Sequence, residues 1–193
     1  MKVGIFGGSF NPIHIGHAII ANHVIAHSDL DQIWLIVAPR NPLKEPDDNG
    51  YDLHRIRMTE LVSRQLDGVE TSAFEFSLPK PSYTCNTLKA LSEKFPNHEF
   101  SLIIGADNWA LFKKWKNWKE IIQNHDILIY PRLGYDVTIP QEFEHRVKLT
   151  NAPIIGISST QIRKALANGE SMRFYLPDNV YNYILQHKLY QNE

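Results

Sequence analysis

The chain has 193 residues, 43% of them hydrophobic, and a formal net charge of −1 at pH 7. This length predicts one domain with a sizeable core, and the near-neutral charge gives no electrostatic reason to expect nucleic acid or a membrane surface as a partner. The single cysteine, Cys85, excludes both an internal disulfide and a four-thiolate metal site.

The amino-terminal residues predict the compartment. Met1–Gly4 have no signal-peptide profile, and the longest uninterrupted apolar run, Ile33–Ala38, is too short to cross a bilayer. We therefore expect a cytoplasmic protein with no membrane partner, and the lone cysteine agrees with a reducing compartment. The sequence leaves open whether the chain forms homo-oligomers.

Apolar runs alternate with helical patterns along the chain. Runs without strict alternation predict buried strands at Lys2–Gly7, Ile33–Ala38, Phe100–Gly105 and Ile127–Tyr130, with a weaker one at Val69–Thr71. Helical patterns cover Ile15–Ala26, Leu53–Leu66, Thr84–Phe95, Ser159–Ala167 and Pro177–His187. The alternation predicts an α/β, Rossmann-like, doubly wound parallel sheet in a single domain, 1–193, with a small C-terminal helical part at about 157–193. Long loops are expected at Pro39–Gly50 and Pro131–Glu144.

The first loop, GGSFNPIHIGH at residues 7–17, joins the first predicted strand to the first predicted helix. Ligands of parallel α/β sheets gather at the carboxyl ends of the strands, so this loop is a candidate anion site. Gly7 and Gly8 allow a bulky ligand to approach, and the first N–H groups of the helix face the same space. His14 and His17 are three residues apart, so both imidazoles can donate to phosphate oxygens from one face.

Other interpretations of this loop stay open. The histidine pair could bind a metal, although the sequence offers no H-E-x-x-H pattern and no third ligand, or it could be a locally hydrogen-bonded helix start. The loop matches neither G-x-x-x-x-G-K-[ST] nor G-x-G-x-x-G. Gly16, between the histidines, removes a side chain that would block a base or ribose.

A second candidate anion site is ISSTQIR, residues 157–163. Ser158 or Ser159 caps a predicted helix, and Thr160 lies in its first turn. Arg163 follows Ser159 by four residues, so both can face one side, and its planar guanidinium suits a phosphate. The alternative is a plain capped surface helix with a solvated arginine.

These motifs resemble those of a known superfamily. Gly8, Phe10, Pro12, His14, Gly16 and His17 match the nucleotidylyltransferase signature H-x-G-H behind a G-x-F-x-P loop, and ISSTQIR resembles its second motif. Three further stretches resemble segments of the bacterial nicotinate-nucleotide adenylyltransferases, and this likeness extends over nearly the whole chain. They are PSYTCNTL at 81–88, IIGADN at 103–108 and KKW at 113–115.

The resemblance implies an enzyme of NAD biosynthesis that joins ATP to nicotinate mononucleotide and releases pyrophosphate, with Mg²⁺ bridging phosphate oxygens. It implies catalytic roles for His14, His17 and Arg163. The residues implied to bind ATP are Gly7, Gly8, Ser9, Phe10, Gly16, Gly105, Asp107, Ile157, Ser158, Ser159 and Thr160. The residues implied to bind the mononucleotide are Lys44, Thr84, Trp115, Lys116 and Arg132, with Trp115 stacking on the pyridine ring.

The chain departs from the family pattern at three places. NPLK, residues 41–44, has Leu43 where the family has histidine, Lys116 follows the tryptophan where tyrosine is usual, and RLG replaces R-P-G at 132–134. The residues alone also allow Asp107 to be a helix cap and the aromatic run around Trp115 to be core packing. The lysines at 113, 114 and 116 favour an anionic ring substituent or form a solvated face.

Three rival functions follow from these alternatives. A nicotinamide-preferring adenylyltransferase would share every motif. A pantetheine-phosphate adenylyltransferase would share the H-x-G-H loop but lack the P-S-Y-T and K-W segments. A nucleotide-binding regulator would bind ATP without catalysis, which the intact His14, His17 and Arg163 argue against.

Overall fold

Six parallel strands form one sheet in the computed structural model, which describes residues 1–39 and 51–191. They are β1 (Lys2–Gly8), β2 (Gln32–Val37), β3 (Val69–Ser72), β4 (Glu99–Gly105), β5 (Ile127–Tyr130) and β6 (Val147–Leu149). The spatial order is β3-β2-β1-β4-β5-β6, so the winding direction reverses between β1 and β4. A reversal of this kind opens a crevice at the carboxyl ends of the two central strands.

Seven α-helices cover the sheet in the described part of the chain. They are α1 (Ile15–Ala26), α2 (Tyr51–Ser63), α3 (Thr84–Lys94), α4 (Ala106–Leu111), α5 (Trp118–Asn124), α6 (Ser159–Ala167) and α7 (Asp178–Gln186). Short 3-10 turns occur at Phe74–Ser77, Phe112–Lys114, Gln141–Phe143 and Arg173–Tyr175. Within residues 1–39 and 51–191, no helix combines the length and apolar character needed to cross a membrane.

Two apolar clusters form the core, one on each face of the sheet. Leu102 and Ile103 are neighbours on β4 but belong to opposite clusters, because successive side chains of a strand point to opposite faces. The cluster around Ile103 includes residues of α1, α2, α6 and α7, whereas the cluster around Leu102 includes residues of α3 and α5. The C-terminal helices thus pack on the same core as the first two helices, and the single domain over 1–193 stays a prediction.

The predicted doubly wound α/β fold is confirmed. All five predicted strands are present, and α1 and α6 have the predicted bounds. α2 covers Tyr51–Ser63 instead of Leu53–Leu66, because Gln65 and Leu66 donate their N–H groups three residues back, to Val62 and Ser63, in a tighter turn. The predicted loop at Pro131–Glu144 contains the 3-10 turn at Gln141–Phe143.

Three elements were not predicted. β6 has three residues, two of them exposed, so it carries no apolar run. α4 and α5 have six and seven residues, too few for a helical period to be recognised. The predicted loop at Pro39–Gly50, which includes Lys44, lies outside the described residues except for Pro39.

Candidate active site

A cleft of about 540 Å³ opens at the carboxyl ends of β1 and β4, where the winding of the sheet reverses. One wall is the loop that leaves β1, and the other is the segment before α3 together with Trp115. The predicted site residues among its lining are Gly7, Gly8, Ser9, Thr84, Gly105 and Trp115. A Cβ built on Gly7 would meet nothing within 4 Å, so this glycine keeps the floor of the cleft open.

The two signature histidines lie together at the start of α1. Their rings are stacked with centroids 3.8 Å apart, and His17 also packs edge-on against the buried Phe10, with centroids 5.1 Å apart. The backbone N–H of His14 donates to Nδ1 of His17 over 3.2 Å. A neutral His17 ring must therefore carry its proton on Nε2, which makes that atom a hydrogen-bond donor.

Burial keeps both imidazoles uncharged. It lowers the pKa of His14 to about 4, and the nearby Arg132 guanidinium acts in the same direction. The pKa of His17 is also lowered well below its ordinary value, first by burial and then by His14 and Arg132. At neutral pH the pair therefore offers hydrogen bonds without positive charge, and the cation that acts on both rings is Arg132.

The second motif contacts the first loop directly. Ser158 is the N-cap of α6, and its Oγ accepts the N–H of Gln161 over 3.2 Å. Ser159 Oγ donates to the carbonyl oxygen of Pro12 over 2.9 Å, and Nη1 of Arg163 donates to the carbonyl oxygen of Asn11 over 2.7 Å. The loop and α6, about 150 residues apart in sequence, are thus joined by two hydrogen bonds.

Gly16 belongs to the same contact. A Cβ on this glycine would lie 2.8 Å from Cγ2 of Ile155 and 3.0 Å from Nδ1 of His14, so a side chain here would clash with the segment that leads into the second motif. Ile157 is half-buried and packs on the core cluster of α1 and α2. Ser158 and Thr160 line a separate shallow hollow at the start of α6, outside the main cleft.

The cleft wall around Thr84 is organised by a carboxylate. Glu75 accepts hydrogen bonds from Ser82 Oγ over 3.2 Å and from Thr87 Oγ1 over 2.8 Å, which fixes the chain that enters α3. Glu75 and Tyr83 line the cleft together with Thr84. Neither Glu75 nor Tyr83 was predicted from the sequence to be a site residue.

Trp115 stands apart from its neighbouring tryptophans. All three tryptophans of residues 109–118 pack around Phe112, but among them only Trp115, which is half-buried, lines the cleft. The indole N–H of Trp109 instead donates to the carbonyl oxygen of Thr138 over 3.1 Å. The aromatic run therefore serves partly as core packing, as the alternative interpretation held, while Trp115 faces the cleft.

Asp107 and Arg132 lie together at the ends of β4 and β5. Nε of Arg132 is 3.5 Å from Oδ1 of Asp107, and its guanidinium lies 5.7 Å from the ring centroid of Tyr130. Gly105 pairs with Tyr130 in the sheet, and a Cβ on it would lie 3.1 Å from that ring. Asp107 is in the first turn of α4, whose N-cap is Gly105, so it is not the helix cap. Arg132 therefore lies near Asp107 and close enough to act on both signature histidines, and its contact with the mononucleotide stays a prediction.

Arg55 was missed by the sequence analysis. This residue of α2 is only 2% exposed, and its guanidinium donates to the carbonyl oxygens of Ser9 and of Ala38 and to the Asp52 carboxylate. It therefore connects the ends of β1 and β2 beneath the first loop. The signal in the sequence was a charged residue at an inward position of a helical pattern, which requires buried partners.

No group of three or more His, Cys, Asp or Glu side chains that could hold a metal ion occurs within residues 1–39 and 51–191. The described residues thus give no support to the interpretation of His14 and His17 as metal ligands. Asp107, the one carboxylate among the predicted site residues, is paired with Arg132.

Comparisons with known proteins agree with the motifs. The Cytidylyltransferase-like family model matches residues 5–165. The "Probable nicotinate-nucleotide adenylyltransferase" of Flavobacterium psychrophilum is 46% identical over 192 residues, which are 99% of this chain and all of that protein. The protein of the same name from Bacteroides thetaiotaomicron is 43% identical over 97% of this chain and 92% of its own length.

The fold has solved counterparts. Plasmodium falciparum nicotinic acid mononucleotide adenylyltransferase complexed with NaAD matches with a TM-score of 0.80 at 21% identity, over 98% of this chain and 97% of that one. The same enzyme complexed with APC gives a TM-score of 0.77 at 22% identity. These matches concern the fold, and the family resemblance predicted from the sequence is confirmed by the identities above. The chain belongs to the Cytidylyltransferase-like family and, within it, to the nicotinate-nucleotide adenylyltransferases.

Proposed function

We propose that this chain transfers the adenylyl group of ATP to nicotinate mononucleotide, which forms deamido-NAD and releases pyrophosphate. The relatives' names supply the reaction. The observation that carries the proposal is the contact between the two motifs, in which Ser159 and Arg163 hold the loop that presents His14 and His17.

ATP is assigned to the side of the site formed by the first loop and the start of α6. The phosphates would lie against the loop glycines and the N-terminus of α1, where free N–H groups favour anions. The mononucleotide is assigned to the cleft between Thr84 and Trp115, whose volume of about 540 Å³ suits a nucleotide-sized ligand. Lys44, which lies outside the described residues, stays a predicted contact of the mononucleotide phosphate.

The reaction needs no base and no protein nucleophile. An oxygen of the mononucleotide phosphate, already an anion, attacks the α-phosphorus, and the bond from that phosphorus to the oxygen bridging to the β-phosphorus breaks. Holding the two reactants in line can remove about 7–11 kcal/mol of the barrier. The protein's task is therefore alignment, together with donors aimed at the growing charge.

The neutral histidines supply those donors. His17 would donate from Nε2, and each such hydrogen bond can contribute about 3 kcal/mol in the transition state. Arg132 adds the positive charge that the imidazoles lack. Mg²⁺ is proposed to arrive with ATP, bound mainly by phosphate oxygens and water, since the ion usually keeps few protein ligands in such sites.

A pyrophosphate-release assay tests this function. ATP would be mixed with nicotinate mononucleotide, nicotinamide mononucleotide or phosphopantetheine in turn, and we expect the highest kcat/KM with the nicotinate substrate. Binding of ATP without pyrophosphate release from any acceptor would instead identify a regulator. A preference for phosphopantetheine would assign the chain to a different adenylyltransferase.

A further inference from the structure

Lys116 stands at the rim of the cleft, where the family usually has tyrosine. Its Nζ lies 4.4 Å from the ring centroid of Tyr83, and both Tyr83 and the adjacent Trp115 line the cleft. The contact is a cation–π interaction, which fixes the position of an otherwise flexible ammonium group. A positive charge is thereby held beside Tyr83, one of the aromatic side chains that line the cleft.

Neighbouring lysines do not share this position. Nζ of Lys113 and Nζ of Lys119 lie 5.9 and 5.8 Å from the ring centroid of Trp118, which does not line the cleft. The four lysines of this segment, at positions 113, 114, 116 and 119, therefore do not form a uniform basic face. The structure distinguishes Lys116, whose ammonium lies over a ring that lines the cleft, from Lys113 and Lys119, whose ammonium groups lie near Trp118.

Among the described residues, two charged side chains, Glu75 and Lys80, line the cleft. Glu75 lines the cleft, but its carboxylate is engaged by Ser82 and Thr87 at the base of α3. Lys80 also lines the cleft, on the segment that precedes α3. Lys116 does not itself line the cleft and contacts it through Tyr83, but unlike Lys80 it directly follows Trp115, the flat ring on which a pyridine can stack.

We propose that the Lys116 side chain is a specificity-determining group that favours the acid, nicotinate mononucleotide, over the amide, nicotinamide mononucleotide. This inference rests on the proposed function. The two substrates differ by one negative charge on the pyridine ring, so a cation near the ring substituent stabilises only the acid. For unit charges set about 7 Å apart with an effective dielectric constant of about 40 to 80, the Coulomb attraction corresponds to a preference of about threefold to eightfold.

The competing explanation is that Lys116 only packs on Tyr83 and stiffens the rim. A packing role would change the binding of acid and amide equally, because both carry the same ring. A charge role changes their ratio and weakens with salt, since exposed charges are screened. The ratio of the two substrates therefore separates the explanations.

The test measures kcat/KM and, by calorimetric titration, the dissociation constant for both mononucleotides. The proteins compared are the wild type, Lys116→Gln, Lys116→Arg, Lys113→Gln and Lys80→Gln. We expect Lys116→Gln to lower the acid-to-amide ratio about fivefold, Lys116→Arg to keep it, and the control Lys113→Gln to leave it within about 1.5-fold. Raising the salt concentration should bring the wild-type ratio towards that of Lys116→Gln.

An unchanged ratio in Lys116→Gln, or an equal fall in Lys113→Gln, would overturn the assignment. A larger fall in Lys80→Gln than in Lys116→Gln would move the role to Lys80 and also overturn it. Failure of the proposed function is a separate result: the wild type would then release no pyrophosphate with either mononucleotide, while the binding ratios would still decide the role of Lys116.

Discussion

The loop of residues 7–17 and the cleft wall around Thr84 and Trp115 are built in different ways. The loop is held from two directions, by Arg55 of α2 at the carbonyl oxygen of Ser9 and by two donors of α6 at Asn11 and Pro12. The opposite wall is organised by the Glu75 hydrogen bonds, and its outer residues, Tyr83 and Lys116, are exposed.

This difference suits a reaction that lacks covalent catalysis. Alignment of the phosphates requires a loop whose geometry is set before substrate arrives, because small displacements of reacting groups are costly in rate. Selection between similar rings requires a surface whose charge can vary without moving the loop. Substitutions in the two regions should therefore change different measured properties. Three of them test this difference.

The largest effect is expected from the support of the loop. Arg55→Met should lower the free energy of unfolding by about 3–5 kcal/mol, because Asp52 loses its buried partner and the carbonyl groups of Ser9 and Ala38 lose their donor. Urea unfolding measures this. The control is Arg57→Met, two residues away, where the arginine is exposed and pairs with Glu60 over 2.9 Å; its effect should stay below about 0.5 kcal/mol. Equal effects would mean that Arg55 does not support the loop.

A second effect is the response of the loop to acid. The pKa of His14 is lowered from 6.5 to about 4 by burial, so between these pH values the unfolded chain binds a proton that the folded chain does not. The contribution of His14 to the free energy of unfolding is therefore fully present above pH 6.5 and is lost as the pH falls. At pH 4 the free energy of unfolding is lower by about 3 kcal/mol for this reason.

The comparison of His14→Gln with the wild type isolates this contribution. The free energy of unfolding of this variant should fall less steeply between pH 6.5 and 4.5 than that of the wild type, because the variant has no imidazole at this buried position. If the free energy of unfolding fell as steeply with decreasing pH in His14→Gln as in the wild type, burial would not prevent protonation of His14 in the folded state.

A smaller effect is expected in the cleft wall. Trp115→Ala should raise the KM for nicotinate mononucleotide about tenfold, the value of one lost stacking contact, and change the KM for ATP less than about twofold. Trp109→Ala is the matched control, since Trp109 belongs to the same aromatic cluster without lining the cleft. A similar rise for both substrates would reduce Trp115 to a packing residue.

Local signals in the sequence were sufficient for much of this architecture. The bounds of α1 and α6 follow from apolar spacing and from residues at the helix starts, and the two motifs could be recognised because their residues are contiguous. β6, α4 and α5 were missed because each is too short for a period to appear.

Properties that depend on distant partners could not be predicted. The uncharged state of His14 and His17 depends on burial and on Arg132, which arrives from the end of β5. The contact between Arg132 and Asp107 could not be predicted, because it arises only from the pairing of β4 with β5. The assignment of Arg132 to the mononucleotide stays a prediction. Arg163 was expected to contact phosphate, and the structure shows it bonded to a loop carbonyl, so its phosphate contact stays a prediction.

A double-mutant cycle tests most directly whether the two motifs act as one unit on ATP. The rates of pyrophosphate release would be measured for the wild type, His17→Ala, Arg163→Met and the double variant, with thermal unfolding to verify the fold. We expect His17→Ala to lower kcat at least about a hundredfold. The fold-decrease of kcat in the double variant should be at least about ten times smaller than the product of the fold-decreases in the two single variants. Losses that simply multiply would contradict the account, because they would mean that the histidine loop and α6 contribute independently.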